Sequence, residues 1–242
     1  MKAIVTGHTK GLGEAIASDL LTRDIPVLGL ARTFSHAMQA RCPGLLSQIE
    51  IDLADANALG AWLAGSALRH YLAGDNAILL INNAGVVQPV GTLPDQDPLA
   101  VARAVTLNIA APMMLSAAVV ARSEGAERRI LHVSSGAGRN AYPGWSVYCA
   151  TKAALDQHAR AVALDAVPGV RICSLAPGVI DTDMQAEIRA TPPERFPLRE
   201  RFVELERAGE LSPPQQTARA VVEYMLATGF GREPVDDLRT TR

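Results

Sequence analysis

Tyr148 and Lys152 stand four residues apart in Tyr-Cys-Ala-Thr-Lys. On a helix that spacing puts both side chains on one face, where they can converge on one substrate atom. A free phenol, with a pKa near ~10, is a sluggish proton donor at neutral pH. A neighbouring ammonium favours the phenolate and is expected to bring the tyrosine down toward the working range. Upstream, Gly7-His-Thr-Lys-Gly11-Leu-Gly13 follows the apolar run 2–6 and precedes the helix-periodic residues 14–21. Strand, glycine turn and helix in that order make a phosphate cradle. The glycines admit a pyrophosphate close to the backbone, and the free N–H groups of the helix start face its charge. The spacing G-x-x-x-G-x-G departs from the commoner G-x-G-x-x-G.

Such residues need a scaffold, and the chain alternates accordingly. Strand-like runs fall at 3–6, 26–30, 48–51, 78–82, 129–134, 170–175 and 234–236, with helical patterns at 11–23, 55–72, 97–122, 145–165 and 213–228. This alternation argues for an α/β fold, a parallel sheet of about seven strands with helices on both faces. At 242 residues, 48% of them hydrophobic and only 4% aromatic, the chain fits one domain over 1–242. A net charge of −2 with interspersed signs points to no nucleic-acid or membrane partner. Three cysteines without a C-x-x-C pair fit a reducing cytoplasm, and the opening Met-Lys-Ala-Ile-Val-Thr-Gly reads as the first strand rather than a signal peptide. The most apolar stretch, 109–121, is short for a bilayer and holds Pro112. No His/Cys/Asp cluster has metal-ligand spacing. His8 reads as a solvent-facing turn residue, His132 as a core histidine and Cys149 as helix packing.

Thr6-Gly7-x-x-x-Gly11-x-Gly13, Asn82-Asn83-Ala84-Gly85, Asn108, Ser135, Tyr148-x-x-x-Lys152 and Pro177-Gly178 together resemble the short-chain dehydrogenases/reductases in order and spacing, from residue 2 to about 184. The resemblance implies a single-domain doubly wound (Rossmann) fold and carbonyl reduction by hydride transfer. Tyr148 would be the general acid and Ser135 would hold the carbonyl oxygen. Lys152 would bind the nicotinamide ribose, and Asn108 would bend its helix and anchor a proton-relay water. The thirteen residues from Ser135 to Tyr148 select Ser135 over Ser134. Gly7, Lys10, Gly11, Leu12 and Gly13 would cradle the cofactor, with Asp52 and Leu53 at the adenine. Asn83, Ala84 and Gly85 would close the ribose side. Pro177, Gly178, the backbone of Val179 or Ile180, and Thr182 would meet the nicotinamide. Dinucleotide folds that prefer NAD carry a carboxylate about 20 residues past the glycines. Here the second strand ends in Ala31-Arg32, and with Lys10 these cations favour NADP(H).

The segments Ser134–Cys149 and Ala176–Arg189 look like the sepiapterin reductase branch, with its bacterial benzil reductases. That likeness implies a 1,2-diketone or aryl ketone substrate. Tyr142, Pro143 and Trp145 would form an aromatic wall, and Met184 and Asp236 would contact substrate. The Pro-rich, charged segment 184–211 is expected to be a substrate lid. A 3-oxoacyl or sugar-type reductase stays open because Arg189, Arg195, Arg199 and Arg201 cluster there, as does a non-catalytic NADP(H)-sensing regulator. The apolar helices 99–120 and 145–163 resemble the family's usual interface, implying a homodimer or homotetramer.

Overall fold

The computed structural model describes residues 1–240. Strand β1 (Lys2–Thr6) leads through the glycine turn into helix α1 (Gly11–Thr22), then β2 (Val27–Ala31), α2 (His36–Arg41) and β3 (Leu46–Glu50). Helices α3 (Ala56–Ala64) and α4 (Ala67–Leu72) precede β4 (Ala77–Asn82). Next come α5 (Pro98–Val105) and α6 (Ala111–Arg122), β5 (Glu127–Val133), α7 (Ser146–Leu164) and β6 (Val170–Ala176). The chain closes with α8 (Asp183–Ala190), α9 (Arg199–Arg207), α10 (Pro214–Leu226) and β7 (Val235–Asp237). The strands form one parallel sheet in the order β3-β2-β1-β4-β5-β6-β7.

Both faces of this sheet are covered, so the central strands are continuous apolar runs rather than alternating ones. Ile16, Leu20, Val221 and Met225 pack α1 and α10 on one face. Leu59, Leu68, Leu115 and Ala159 bring α3, α4, α6 and α7 to the other. The order reverses between β1 and β4, and crossovers diverge there to open a crevice at the strands' carboxyl ends.

All seven expected strands form. The helical run 55–72 instead divides into α3 and α4. Asp55 caps α3 by accepting from the N–H groups of Asn57 and Ala58, and Gly65 leaves it in an extended conformation. The short α2, capped by Ser35, carries too little periodicity to be seen in sequence. Residues Pro98–Arg122 run on as 25 helical residues, long and apolar enough to cross a membrane, and thus more than the stretch 109–121 suggests. Here Leu115 and Val119 of that stretch are buried in the core against β4 and β5.

His132 is fully buried, as expected. Its Nδ1 lies 3.1 Å from the Asn82 amide nitrogen and its Nε2 3.0 Å from His158 Nδ1. Because an amide nitrogen only donates, Nδ1 is the acceptor and Nε2 carries the proton. His8 overturns its surface reading, for it is fully buried and bonds Gln48 at 2.7 Å. A Cβ on Gly29 of β2 would stand 2.5 Å from the His8 ring, so the imidazole fills the space this glycine leaves. Gly29→Ala is therefore expected to lower the unfolding free energy by about 1–3 kcal/mol through overpacking. Adding His8→Ala should restore part of that loss in chemical denaturation, whereas strictly additive losses would refute this packing.

Candidate active site

A cavity of about 850 Å³ runs along the carboxyl ends of the strands, from Arg32 and Asp52 to α8 and α9. Every residue expected at the cofactor lines it. At its centre α1 begins without a side-chain cap, leaving its first-turn N–H groups to the cavity. Gly7 and Gly11 adopt φ of +69° and +56°. A Cβ on Gly13 would stand 2.1 Å from the Gly7 carbonyl oxygen, so the turn closes only with glycine. Asn83 fastens this turn to β4: its side chain donates to the Thr6 carbonyl at 2.9 Å, and its N–H donates to Thr6 Oγ1. Uncapped donors, glycine backbone and room for a dinucleotide fit a nicotinamide cofactor.

The ionic contacts around the cradle sort its charges. Lys10 Nζ pairs with Asp183 Oδ2 at 2.9 Å, tying the glycine turn to α8, and both side chains are well exposed. Asp52 is held by Arg103 at 2.8 Å. Its carboxyl lies below the usual range, although burial opposes this, because the Ala54 N–H and the Arg103 guanidinium bond it. Arg32, at the end of β2, has no ion pair among the described residues.

The reacting groups meet where α7 starts. Tyr148 and Lys152 are 8% and 5% exposed, and Ser135 shares a hydrogen bond with the Tyr148 phenol. Lys152 Nζ donates to the Val133 carbonyl at 2.8 Å and lies 5.6 Å from the centre of the Tyr148 ring. The expected lowering of Tyr148 does not occur here. Burial pushes its pKa up to about 12, only partly offset by the Ser135 bond. The ammonium is spent on a backbone carbonyl and the ring face, and burial brings its own pKa down to about 8. Desolvation outweighs the Ser135 bond at Tyr148 and the Asp156 charge at Lys152. At neutral pH the pair is a protonated phenol beside an ammonium, the state in which Tyr148 can give a proton.

Asn108 does not line the cavity. It sits at the middle of a π turn, Thr106–Ala110, between α5 and α6, an interruption of the regular helix at the position where a bend was expected. The turn aims its amide at the chain after β4: Oδ1 accepts from the Val86 N–H at 2.9 Å, and Nδ2 donates to the Val86 carbonyl and to Thr151 Oγ1. Ser134, the competitor of Ser135, turns the other way to donate to Asp156.

Beyond Tyr148 the cavity is walled by Tyr142, Trp145, Met184, Ile188, Phe202 and Leu205. Trp145 stacks on Phe196 at 4.5 Å and meets the Tyr148 ring edge-on at 5.3 Å. Residues 184–211 thus supply α8 and α9 as the far wall, held together by Arg189–Glu206 at 2.6 Å. Pro143 is exposed and leaves the wall to Tyr142 and Trp145. Asp236 is not in this cavity. Its Oδ2 accepts from the Tyr224 hydroxyl at 2.8 Å, because the edge strand β7 turns the side chain toward α10. From the same terminal segment Arg239 reaches the cavity instead. Sequence reasoning missed Asp156, Phe202 and Leu205; only the recurrence of buried positions 148, 152 and 156 on α7 could have marked the first.

The family model for short chain dehydrogenases matches residues 1–193. Benzil reductase ((S)-benzoin forming) of Bacillus cereus is 34% identical over 237 residues, covering 94% of each chain. Sepiapterin reductase of Bos taurus is 31% identical over 242 residues, covering 94% of this chain and 90% of that protein. A solved short-chain dehydrogenase/reductase from Burkholderia vietnamiensis is 50% identical, with a TM-score of 0.73 over 100% of this chain and 98% of that one.

The buried pair makes stability depend on alkaline pH. Folding brings Lys152 from an ordinary value of 10.5 to about 8, so between these the unfolded chain binds more protons and stability rises with pH. Tyr148 acts oppositely from its ordinary 10.0 up to about 12. Lys152 should therefore make the unfolding free energy climb from pH 8 to 9, by at most about 1.4 kcal/mol per pH unit, before the Cys173 thiol, which burial raises from 9.0 to about 11, opposes the climb. Lys152→Met should flatten the climb in denaturant titrations; an unchanged slope would contradict the assignment.

Proposed function

This chain belongs to the short-chain dehydrogenase family, oxidoreductases that use nicotinamide cofactors on C=O and CH–OH groups of small molecules, and from that premise we propose that it is an NADPH-dependent carbonyl reductase. The observation that carries this reading is the meeting of Ser135, Tyr148 and Lys152 at the inner end of an aromatic-walled cavity. When bound, NADPH supplies the hydride. The chain's own residues do the rest. Ser135 donates to the carbonyl oxygen and holds it near the Tyr148 phenol. Tyr148 gives its proton to that oxygen as negative charge develops there. Lys152 holds the nicotinamide ribose and stabilises the phenolate left behind. Asn108, through Val86 and Thr151, fixes the floor beneath the lysine. The lid formed by α8 and α9 excludes water from the reacting end.

Cofactor choice rests on Arg32. With Lys10 engaged by Asp183, Arg32 is the cation available for a 2′-phosphate, and Asp52 is already matched by Arg103. The competing carrier-dependent reading loses its support, since most of the arginine cluster is used within the chain. Arg189 pairs with Glu206, Arg199 with Glu200, and Arg195 donates to the Asp95 carbonyl. The presence of Asn108, Ser135, Tyr148 and Lys152 together likewise argues against a regulator without turnover. Leu99 on α5 and Leu164 at the end of α7, 80% and 86% exposed, support a homodimer or homotetramer built through those helices.

Wild-type enzyme should prefer NADPH over NADH by at least about tenfold, the worth of one charge-assisted phosphate contact. Arg32→Ala should raise KM for NADPH and leave NADH nearly unchanged. Equal use of both cofactors by the wild type would refute the charge argument.

For the substrate we propose one carbonyl of a 1,2-diketone or aryl ketone, supported by the wall of Tyr142, Trp145 and Phe202 and by the benzil reductase likeness. Trp145 is itself a buried member of the Phe196–Phe202 cluster, so half-buried Tyr142 is the better probe. Benzil should be reduced with higher kcat/KM than an equally activated aliphatic diketone. Tyr142→Ala should lower the benzil value about tenfold, the scale of one aromatic contact, and spare the aliphatic one. Parallel behaviour of the two diketones in both proteins would dismiss the aromatic pocket.

A further inference from the structure

Lys152 is 5% exposed, and its ammonium forms no ion pair among the described residues. One helical turn further along α7, Asp156 is 1% exposed. Positions 148, 152 and 156 advance by four and form one buried stripe. A carboxylate so deep must be hydrogen-bonded to stay ionised. Asp156 Oδ1 accepts from Ser134 Oγ and from Ser174 Oγ, both at 2.7 Å, and Oδ2 accepts from Arg139 Nε at 3.3 Å. These partners close the carboxyl ends of β5 and β6. Ser134 lies between Val133, whose carbonyl receives the lysine, and Ser135, which meets the tyrosine. Gly138 lets the following turn close over the stripe, for a Cβ there would stand 3.0 Å from both Asp156 Oδ2 and the Lys152 carbonyl oxygen.

We propose that Asp156 is a positioning residue for the reaction: it pins the ends of β5 and β6 to α7 and keeps Lys152 an ammonium in an interior that favours the neutral amine. The proposal rests on the roles given above to Tyr148 and Lys152. Around Lys152 the groups that could set its charge are few. Tyr148 shares its helix and is neutral, its pKa raised by burial. His132 faces it from β5 and is neutral, with a pKa lowered to about 3. Arg139 stands behind Asp156 and also reaches Asp237 at 3.7 Å. Among these charges only Asp156 opposes the burial that lowers Lys152, beside the Val133 carbonyl that accepts from it. Arg139 must weaken that opposition, since it cancels part of the carboxylate's field.

This arrangement predicts shifts of opposite sign, which a purely structural carboxylate would not produce. The chain holds three lysines, Lys2, Lys10 and Lys152, so 13Cε-lysine NMR of the cofactor-free protein can follow Lys152 alone, assigned with Lys152→Arg. Asp156→Asn keeps size and an acceptor but loses the charge; the Lys152 midpoint should fall by about one pH unit. Arg139→Gln should move it upward. The alkaline limb of NADPH-dependent turnover should follow each midpoint in the same direction. An unmoved midpoint in Asp156→Asn, or shifts of one sign in both variants, overturns the proposal. Should Asp156→Asn not fold, Arg139→Gln decides, and there an unmoved or lowered midpoint overturns it. Opposite midpoint shifts in a protein whose wild type turns over no carbonyl with NADPH would support the role of Asp156 and reject the functional reading instead.

Discussion

An ammonium inside a protein survives only where backbone and side-chain oxygens replace the water it has lost. Much of the carboxyl-end architecture follows from placing Lys152 in this way. The Val133 carbonyl can receive it because the pairing of β5 with β4 stops at His132, while Val133 keeps its place beside Leu175 of β6. The chain then turns through glycines, since any side chain on Gly138 would strike the lysine's own carbonyl. Gly85 serves from the opposite side: a Cβ there would lie 3.2 Å from Asn108 Oδ1 and 3.7 Å from Lys152 Nζ. Three elements therefore close on one charge, and two glycines let them approach. The π turn belongs to the same arrangement, because a regular helix would aim Asn108 elsewhere.

The other end of the cavity obeys a different constraint, the need to present backbone donors instead of burying a charge. Lys10 is extended and leaves the first turn of α1 uncapped, which in an ordinary helix start would waste N–H groups. Rigidity there comes from outside the helix. Thr6 receives the Asn83 and Ala84 N–H groups on its hydroxyl, binding β1 to the loop after β4 across the point where strand order reverses. His8 braces the turn from below by resting on Gly29. Cofactor cradle and reacting groups are thus joined through the short loop 83–86.

The substrate end is the least tied to the sheet. Val87, Val90, Trp145, Phe196 and Phe202 form a cluster separate from the two cores that flank the strands. Ile188, Phe196 and Phe202 join it from the segment holding α8 and α9, whose contacts with the rest include exposed ion pairs such as Lys10–Asp183. Exposed pairs contribute little to stability.

By itself the sequence determined what depends on local periodicity and on residue type. Seven apolar runs separated by helical patterns dictated the alternating sheet. Glycines 7, 11 and 13 dictated the cradle, and the four-residue step from Tyr148 to Lys152 dictated that both face one point. These were legible because a helix or a tight turn fixes its own geometry within a few residues. Only the tertiary structure decided properties set by what packs against a residue from far along the chain. His8 is buried because Gly29, twenty-one positions on, leaves it room. Asp236 turns from the cavity because Tyr224 of α10 takes its carboxylate. The Tyr148 phenol is pushed up rather than down because burial outweighs the hydrogen bond it shares with Ser135. Asp156 matters because strands β5 and β6 bring Ser134 and Ser174 to it. Spacing along a chain records direction, whereas burial and charge compensation exist only once distant segments have met.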